Sequence, residues 1–576
     1  MTVWPHMWRI LLWTAILLLS GGSSAQTPPA GAAADIDVGN VERITPRLAI
    51  ATGQRGGLAG APLVDHDRLF VVTSFPHSVM AIELARADAP VLWRYTPEAN
   101  GMAAGLATRD LTTNGAALSN GRLFLNTFDG HTIALDAETG NVLWDVAMAD
   151  VGRGETLLAA PLLAGGRVFI GNSGSDFGVR GWMAALDAAS GRVLWKHYNT
   201  GPDADVGIGS GFASPYLPRD PDPGVASWPP DAWQQGGGGL AGAPIHDAAA
   251  GLLAYATGHP APWNAEQRPG ANYFTAGIFA RDATTGDARW FTPINPHDLY
   301  GFGAEGSLIA ADLRWQGQDR AVLLHPDANG MVYVLDRRSG KILSAKPFID
   351  VNATEGVDLG SGTLHRNPAK ATQVNSTTRD ICPAWPGATG GTAQAAFAPA
   401  SGLLYIPASR LCMDMEARQA SFMPGTPYMG ANLRAKAAHG ARQRGALIAW
   451  DVLAGKPSWT IEEILPIESG VLATAGGVVF YGTLDGWFKA VDAGSGKPLW
   501  QFRAASGIIG QPVSFRRADG HQYIAVLSGV GGAAGAVARQ EIDIRDATAA
   551  RGYANAIRDL KPSPGAGGIL YVFSLP

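Results

Sequence analysis

The sequence predicts an all-β fold of repeated blades, a β-propeller. The main observation is an eleven-residue phrase that occurs six times, with Gly four residues after Asp in every copy and Trp eight residues after it in all copies but one. Glycine is abundant, with 74 of 576 residues, and charged residues make up only 16%, as expected for densely turned, tightly stacked sheets. The copies of the phrase begin at Ala134, Ala185, Ala280, Val334, Ala449 and Ala490.

Each copy has the chemistry of a β-hairpin. A β-run ends at an Asp such as Asp136, whose carboxylate can bond backbone groups of the turn, and Gly140 then supplies a positive φ. Because such a hairpin cannot bury its own apolar face, the copies must stack side by side, which favours a radial repeat. We expect the aromatic residues that end the phrases to pack one blade against the next. They are Trp144, Trp195, Trp290, Trp459 and Trp500.

The N-terminal residues have the pattern of a secretory signal. The apolar run from Ile10 to Leu19 follows Arg9, and small residues up to Ala25 offer a cleavage site. The run is short for a membrane span, although an uncleaved anchor is the alternative. We therefore expect an exported, soluble protein that is not an integral membrane protein. The expected divisions are a signal peptide at 1–25, a flexible segment at 26–45 and a single propeller domain at 46–576.

Charge and cysteine content bear on the partners and cofactors that the protein could bind. A formal net charge of −5 and the lack of a basic run argue against a nucleic-acid partner. Cys382 and Cys412 are the only cysteines, and in an oxidising compartment they favour one disulfide. A two-cysteine metal site is the weaker alternative, because no CxxC or nearby His accompanies them. No CxxCH is present, so we expect no covalent haem.

Apolar runs such as Arg68 to Thr73 alternate with the turns and predict the strands. We expect the long irregular insertions to lie on one face of the repeat and to cap its binding site. They are at about 199–240, 345–395 and 413–445. A charged, Ala-rich stretch at about 540–560 predicts a short helix. The last apolar run, which ends at Pro576, could close the ring by pairing with N-terminal strands.

Between these turns the chain carries several longer motifs. They are S-G-S-D-F-G-V-R-G from Ser173, T-G-H-P-A-P-W-N from Thr257, N-P-H-D from Asn295, H-P-D-A-N-G from His325 and A-T-A-G-G-V-V-F-Y-G-T-L-D-G from Ala473. From about residue 45 to its end, the chain resembles the methanol and ethanol dehydrogenases that depend on pyrroloquinoline quinone (PQQ). This resemblance implies an eight-bladed β-propeller with tryptophan-docking motifs, the quinoprotein alcohol dehydrogenase type. It also matches Cys382–Cys412 to a disulfide of methanol-type members.

The resemblance also implies an activity, which is oxidation of primary alcohols in the periplasm. In the family PQQ lies on the propeller axis over an indole floor, two basic side chains hold its oxygens, and Ca²⁺ or a lanthanide is bound by Glu, Asn and the cofactor. An Asp takes the alcohol proton as hydride passes to the quinone. Electrons then pass to a cytochrome c. The implied cofactors are PQQ and Ca²⁺ or a lanthanide, and the implied partner is a cytochrome c or another periplasmic protein.

The positions that match the family's site carry other residues here. The base position is Gly301, which cannot accept a proton. The metal positions carry Asp176 in place of Glu and His259 in place of Asn. The other replaced positions are Asn114 and Ala328 for the two basic residues, Ala241 for the floor Trp, Thr108 and Arg109 for vicinal cysteines, Ala59 for a Glu and Glu468 for a Trp.

The scaffold motifs therefore remain while the axial polar site is lost, which predicts that standard PQQ catalysis is lost or greatly altered. The first interpretation is a binding or accessory protein, since a fold does not fix a function. The second is an active oxidoreductase in which Asp176 and His259 share a metal and Asp298 or Glu305 replaces the base. Against it, His259 is equally a hydrogen-bonded loop residue and Asp298 a turn cap. The third is a standard dehydrogenase whose site positions are mis-assigned.

Overall fold

The computed structural model describes ten stretches of the chain. They are residues 35–54, 56–107, 111–112, 114–217, 221–389, 393–438, 441–543, 545–546, 549–561 and 568–576. The expected signal peptide at 1–25 and the positions Thr108 and Arg109 lie outside these stretches. Within them, no helix combines the length and the apolar composition that crossing a membrane requires.

Eight antiparallel four-stranded sheets make up the described propeller, and we number them as blades 1 to 8. Blade 1 consists of Leu63–Asp65, Arg68–Val72, Val79–Glu83 and Val91–Tyr95, and blade 2 of Ala116–Ser119, Arg122–Asn126, His131–Asp136 and Val142–Ala147. Blade 3 consists of Leu162–Ala164, Arg167–Gly171, Trp182–Asp187 and Val193–Tyr198, and blade 4 of Ile245–Asp247, Leu252–Ala256, Gly277–Asp282 and Ala288–Pro293. Blade 5 consists of Ile309–Trp315, Gln318–Pro326, Met331–Asp336 and Ile342–Pro347, and blade 6 of Ala396–Ala398, Leu403–Ser409, Gly445–Asp451 and Lys456–Glu463. Blade 7 consists of Val471–Ala473, Val478–Gly482, Trp487–Asp492 and Pro498–Arg503, and blade 8 of Val513–Arg516, Gln522–Ser528, Ile569–Ser574 and Thr45–Ala51.

The ring closes in blade 8, as the sequence suggested. Its outermost strand, Thr45–Ala51, pairs antiparallel with the C-terminal strand Ile569–Ser574. Each pair of neighbouring blades shares one layer of buried apolar side chains, and the eighth such layer lies between blade 8 and blade 1, where Leu527 and Leu69 are buried together. Eight sheets joined by eight layers form a closed ring, so the predicted all-β propeller is confirmed.

The repeated phrase forms the expected hairpin turn. The Asp136 carboxylate accepts hydrogen bonds from the backbone N–H groups of Glu138 and Thr139, at 3.0 and 2.8 Å. Gly140 follows with a φ of 76°. The carboxylate thus satisfies the turn donors, and the left-handed residue must be Gly because a side chain is strained there.

The aromatic residue of one blade packs against the phrase Gly of the next, which confirms the docking role predicted for the Trp residues. A Cβ placed on Gly191 of blade 3 would lie 2.9 Å from the indole of Trp144 in blade 2. Likewise, a Cβ on Gly340 of blade 5 would lie 2.5 Å from the indole of Trp290 in blade 4. Gly is therefore required twice, for its positive φ and for the close approach of the ring.

Blade 8 has no copy of the phrase, and Trp500 of blade 7 packs there on Phe573. Blades 1 and 5 also depart from the pattern. Trp93 of blade 1 packs in the same way on Gly140 of blade 2, although its own blade lacks the full phrase. In blade 5, Ser344 stands in the Trp position, and the nearest atom to a Cβ on Gly455 of blade 6 is a side-chain carbon of Lys346, at 3.5 Å. The docking contact therefore requires the indole and not the turn alone.

The insertions form smaller elements. Those at 345–395 and 413–445, and the one before the last strand, contribute to one apolar cluster, whereas the insertion at 199–240 packs against blades 3 and 4. The cluster joins Trp385, Met413 and Tyr553 to Trp263. The inserted strands are Thr354–Val357 with Leu364–Arg366, and Thr377–Ile381 with Leu411–Ala417 and Ala431–Ala437. The α-helices are Asp203–Val206, Pro223–Ala226, Gly532–Ala538 and Tyr553–Ala556. The 3₁₀ helices are Val41–Arg43, Gly101–Leu106, Val151–Arg153, Ser175–Phe177, Ala232–Gln235, Ala265–Gln267 and Pro368–Lys370.

Three predictions from the sequence can be compared with the structure here: the disulfide, the helix at 540–560 and the start of the folded chain. Cys382 and Cys412 form the expected disulfide. Among the described residues of 540–560, the expected short helix is the single turn Tyr553–Ala556, and the longer helix Gly532–Ala538 precedes that stretch. The packed chain begins earlier than residue 46, because Ile36 is fully buried against blades 7 and 8.

Candidate functional site

Five of the residues singled out from the sequence line one cavity of about 200 Å³. They come from loops of blades 2 to 5, which the radial repeat brings together near the axis. The repeat thus unites side chains that are far apart along the chain. The five are Asn114, Asp176, Ala241, His259 and Glu305.

Asp176 is the centre of the polar contacts in this cavity. It lies in the short 3₁₀ helix Ser175–Phe177, which is bounded by Gly174 and Gly178 with φ values of 123° and 67°. One carboxylate oxygen, Oδ1, is 3.1 Å from Nε2 of His259. The other, Oδ2, is 3.0 Å from Nη1 of Arg551. Arg551 belongs to the segment between the strands Gln522–Ser528 and Ile569–Ser574, which we call the C-terminal insertion. The carboxylate is therefore shared by an imidazole and a guanidinium.

Arg551 is a functional-site residue that sequence reasoning missed. Its side chain is only 14% exposed. The guanidinium carbon lies 5.1 Å from the ring centroid of Trp385 and 5.9 Å from that of Trp263. A buried cation is stable only when it is paired, and Asp176 and the two indoles supply that pairing. The stretch A-A-R-G-Y around Arg551 contains no local signal for this role.

His259 has contacts at both ring nitrogens. Nδ1 is 3.2 Å from the carbonyl oxygen of Pro260, and Nε2 contacts Asp176. Burial disfavours the charged imidazole, but Asp176 outweighs burial and, with Glu305, raises the pKa of His259 above its ordinary value. These contacts fit a hydrogen-bonded loop residue better than a metal ligand.

The base position, Gly301, is closed by an indole. Its φ is 71°, and a Cβ placed there would lie 2.7 Å from the ring of Trp263. An aspartate at this position would need a left-handed backbone and would collide with the ring. A side chain at position 301 would therefore require both a left-handed backbone and a displacement of Trp263.

The two candidate substitute bases are in different surroundings. Asp298 is 2% exposed, and its carboxylate accepts backbone N–H bonds from Tyr300 and Gly303, at 2.9 and 2.8 Å. These are the contacts of a turn cap. Glu305 lines the cavity beside His259 and is close enough to affect its pKa. Of the two carboxylates, only Glu305 is part of the cavity lining.

The residues at the cofactor positions do not fit PQQ and its metal. Ala328 is fully buried, and a Cβ on Gly387 would lie 2.4 Å from its methyl group, so no basic side chain reaches the cavity from there. Ala241 offers a methyl group where the family has an indole floor. Across the described residues, no group of three or more His, Cys, Asp or Glu side chains could hold a metal ion. The cation on Asp176 is Arg551.

Two other replaced positions are part of the packed interior. Ala59 packs against the axial apolar cluster. Glu468 accepts a hydrogen bond from the hydroxyl of Tyr553, which is buried and whose pKa is raised well above its ordinary value by burial and by the glutamate charge. The polar replacement at 468 therefore has a partner in the same insertion as Arg551.

Comparison with known proteins matches this architecture. Residues 32–357 and 448–524 match the model of the PQQ glucose/ethanol/alcohol dehydrogenase β-propeller domain. The lanthanide-dependent methanol dehydrogenase of Methylacidiphilum fumariolicum (strain SolV) is 40% identical over 548 residues, covering 94% of this chain and 89% of that protein. The methanol dehydrogenase (cytochrome c) subunit 1 of Paracoccus denitrificans is 36% identical over 556 residues, covering 94% of this chain and 87% of that protein.

A solved structure agrees with the sequence relatives. A europium-containing methanol dehydrogenase matches with a TM-score of 0.91 at 39% identity, covering 94% of this chain and 95% of that one. The similarity spans almost the whole of both chains, so it concerns the complete propeller. By family model, sequence and structure, this chain belongs to the PQQ-dependent alcohol dehydrogenases, the quinoprotein alcohol dehydrogenase family.

Proposed function

We propose that this chain is an exported member of the family that has lost standard PQQ catalysis and acts as a binding or accessory protein in the periplasm. The observation that carries the proposal is Gly301, whose backbone packs directly on the indole of Trp263. A general base must lie within hydrogen-bonding reach of the alcohol proton, and this position has neither a carboxylate nor the space for one.

The retained scaffold supports the same proposal. The blades, their turns and their docking Trp residues are intact, whereas the base, the floor and the basic positions have all changed. Export is supported by the signal pattern in residues 1–25. A cytochrome c is a candidate partner because a relative is named a methanol dehydrogenase (cytochrome c) subunit.

A second candidate is an oxidoreductase with an altered site. Asp176, His259 and Glu305 line one cavity, so a carboxylate other than Asp298 is available there as a base. This candidate requires a cofactor held without the family's basic residues. PQQ binding separates the two candidates.

We expect purified mature protein to bind no PQQ in titration calorimetry, with Ca²⁺ present or with a lanthanide present. The reason is that Ala328 and Ala241 supply neither a charge nor an aromatic floor for the cofactor. The lanthanide-dependent relative from Methylacidiphilum fumariolicum is the positive control. Saturable, metal-dependent binding of PQQ at one site per chain would refute the loss of catalysis and favour the altered-site oxidoreductase.

A Gly301→Asp variant will remain inactive in dye-linked alcohol oxidation and will be less stable than the parent. A non-glycine residue in the left-handed region costs about 1 to 2 kcal/mol, and the collision with Trp263 adds about 1 to 3 kcal/mol. Gly317→Asp is the matched control, because Gly317 has a φ of 80° and open space around its Cβ position. Urea unfolding should show a larger loss for Gly301→Asp. Equal stability of the two variants, or alcohol oxidation by Gly301→Asp, would contradict this account.

A further inference from the structure

The C-terminal insertion contacts two of the replaced axial positions. Arg551 pairs with Asp176, and Tyr553 donates a hydrogen bond to Glu468. In the family, the position of Asp176 holds the metal, and that of Glu468 is a Trp. The residues that replace the family's Glu and Trp at these two positions therefore both pair with one segment, residues 549–561. We call this segment the axial plug.

The axial plug is fastened at its far end as well. Arg444 bonds both carboxylate oxygens of Asp559, at 2.6 and 2.7 Å, and also the carbonyl oxygen of Ala556, at 2.6 Å. The side-chain amide of Asn555 bonds the carbonyl oxygen of Ala435 at 3.0 Å. Bidentate guanidinium–carboxylate pairs fix direction as well as position. The segment is thus held on both sides of its helical turn.

Apolar burial adds to these contacts. Tyr553, Ile557 and Leu560 are all less than a tenth exposed and belong to the axial cluster that includes Trp263 and Trp385. The axial plug is therefore part of the packed interior. Its removal would expose apolar surface on the insertions and on the blades beneath.

The backbone that presents Arg551 is strained. Ala550 and Arg551 have φ values of 49° and 56°, in the left-handed region that L residues rarely adopt. Such a conformation persists where the surroundings over-determine it. Here the pairing with Asp176 and the two indoles hold the guanidinium in place.

We propose that residues 549–561 are a built-in plug whose Arg551 guanidinium takes the place of the metal ion on Asp176. The single charge of the guanidinium balances the carboxylate that a metal would otherwise bind, and the plug closes the axial site around it. The inference rests on the proposed function, because it explains how the site is stabilised without its metal.

The test uses Tb³⁺ as the metal probe and full-length mature protein. Trp263 and Trp385 lie within 6 Å of the guanidinium, at 5.9 and 5.1 Å, so a lanthanide in its place would show indole-sensitised emission. We expect no such emission from the wild type, at least a tenfold gain from Arg551→Ala, and loss of that gain in Arg551→Ala/Asp176→Asn. Arg545→Ala is the matched control, because Arg545 pairs with the exposed neighbour Asp543.

Hydrogen exchange supplies a second measurement that does not depend on metal. We expect amides of residues 549–561 to exchange at least tenfold faster in Arg551→Ala and in Asp176→Asn, with no further increase in the double variant and no change in Arg545→Ala. If Arg551→Ala fails to fold, Arg551→Gln, which keeps a side chain of similar length without the charge, takes its place in both measurements.

Three results would overturn the proposal. One is Asp176-dependent Tb³⁺ emission from the wild type. The second is unchanged exchange in both single variants. The third is faster exchange in Arg551→Ala without Tb³⁺ emission, which would show that the guanidinium fastens the segment without replacing a metal. PQQ binding by a wild type that excludes Tb³⁺ would instead contradict the proposed loss of catalysis alone.

Discussion

Replacing Trp290 with alanine will lower the free energy of unfolding by about 4 kcal/mol. Trp290 is 1% exposed and fills the apolar layer between blades 4 and 5, together with Ile278 and Tyr333. Its indole also covers Gly340, which has no side chain to fill the space that the ring would leave. A ring of blades cannot collapse locally around such a cavity without moving its neighbours.

Urea unfolding of Trp290→Ala and Trp500→Ala provides the measurement and its control. Trp500 occupies the same position in its phrase but is only partly buried, where it packs against Phe573. We expect the loss for Trp500→Ala to be about half as large, since less apolar area leaves water there. Equal losses in the two variants would show that burial between blades does not determine the contribution of the docking residue.

Removing the disulfide will have the second large effect. The Cys382→Ser/Cys412→Ser variant will lose about 3.6 kcal/mol of unfolding free energy, because the bond closes a loop of 30 residues in the unfolded chain. Both cysteines are buried, at 5% and 1% exposed, so the serine hydroxyls add a desolvation penalty. Denaturant unfolding of the purified variant measures the loss.

Reductant provides the control for this prediction. Dithiothreitol should lower the stability of the wild type by a similar amount and leave the double serine variant unchanged. A variant as stable as the oxidised wild type would contradict the prediction. It would mean that the insertions around Ile381 and Leu411 are held by packing alone.

Asp176 and Glu468 both have partners within the chain. The sequence comparison predicts that Asp176 replaces a metal-binding Glu of the family and that Glu468 replaces a Trp. In the structure, each has a partner in residues 549–561, and the cation that pairs with Asp176 comes from the chain itself. These partners stabilise the two carboxylates, since an unpaired buried charge is strongly unfavourable.

Much of the fold was predictable because its determinants are local and repeated. Asp and Gly four residues apart specify the turn, and the Trp that ends the phrase specifies the blade contact, so six copies predict a ring of blades. The docking role of Trp93 was not predicted because its blade lacks the Asp–Gly turn, although its indole packs on Gly140 as the other docking Trp residues pack on their glycines. The short helix expected at 540–560 is present as the single turn Tyr553–Ala556, although the Ala-rich composition could not give its bounds.

The sequence by itself determined the propeller and the disulfide, since both follow from residue type and spacing, and it predicted Gly301 at the position of the family's base. Only the tertiary structure decided that Trp263 closes the space at Gly301 and that Arg551 neutralises Asp176. Arg551 and Asp176 are 375 positions apart, and an ion pair at that separation leaves no periodic or local pattern in the sequence. Such a pair exists only because the closed ring brings a loop of blade 3 and the C-terminal insertion together.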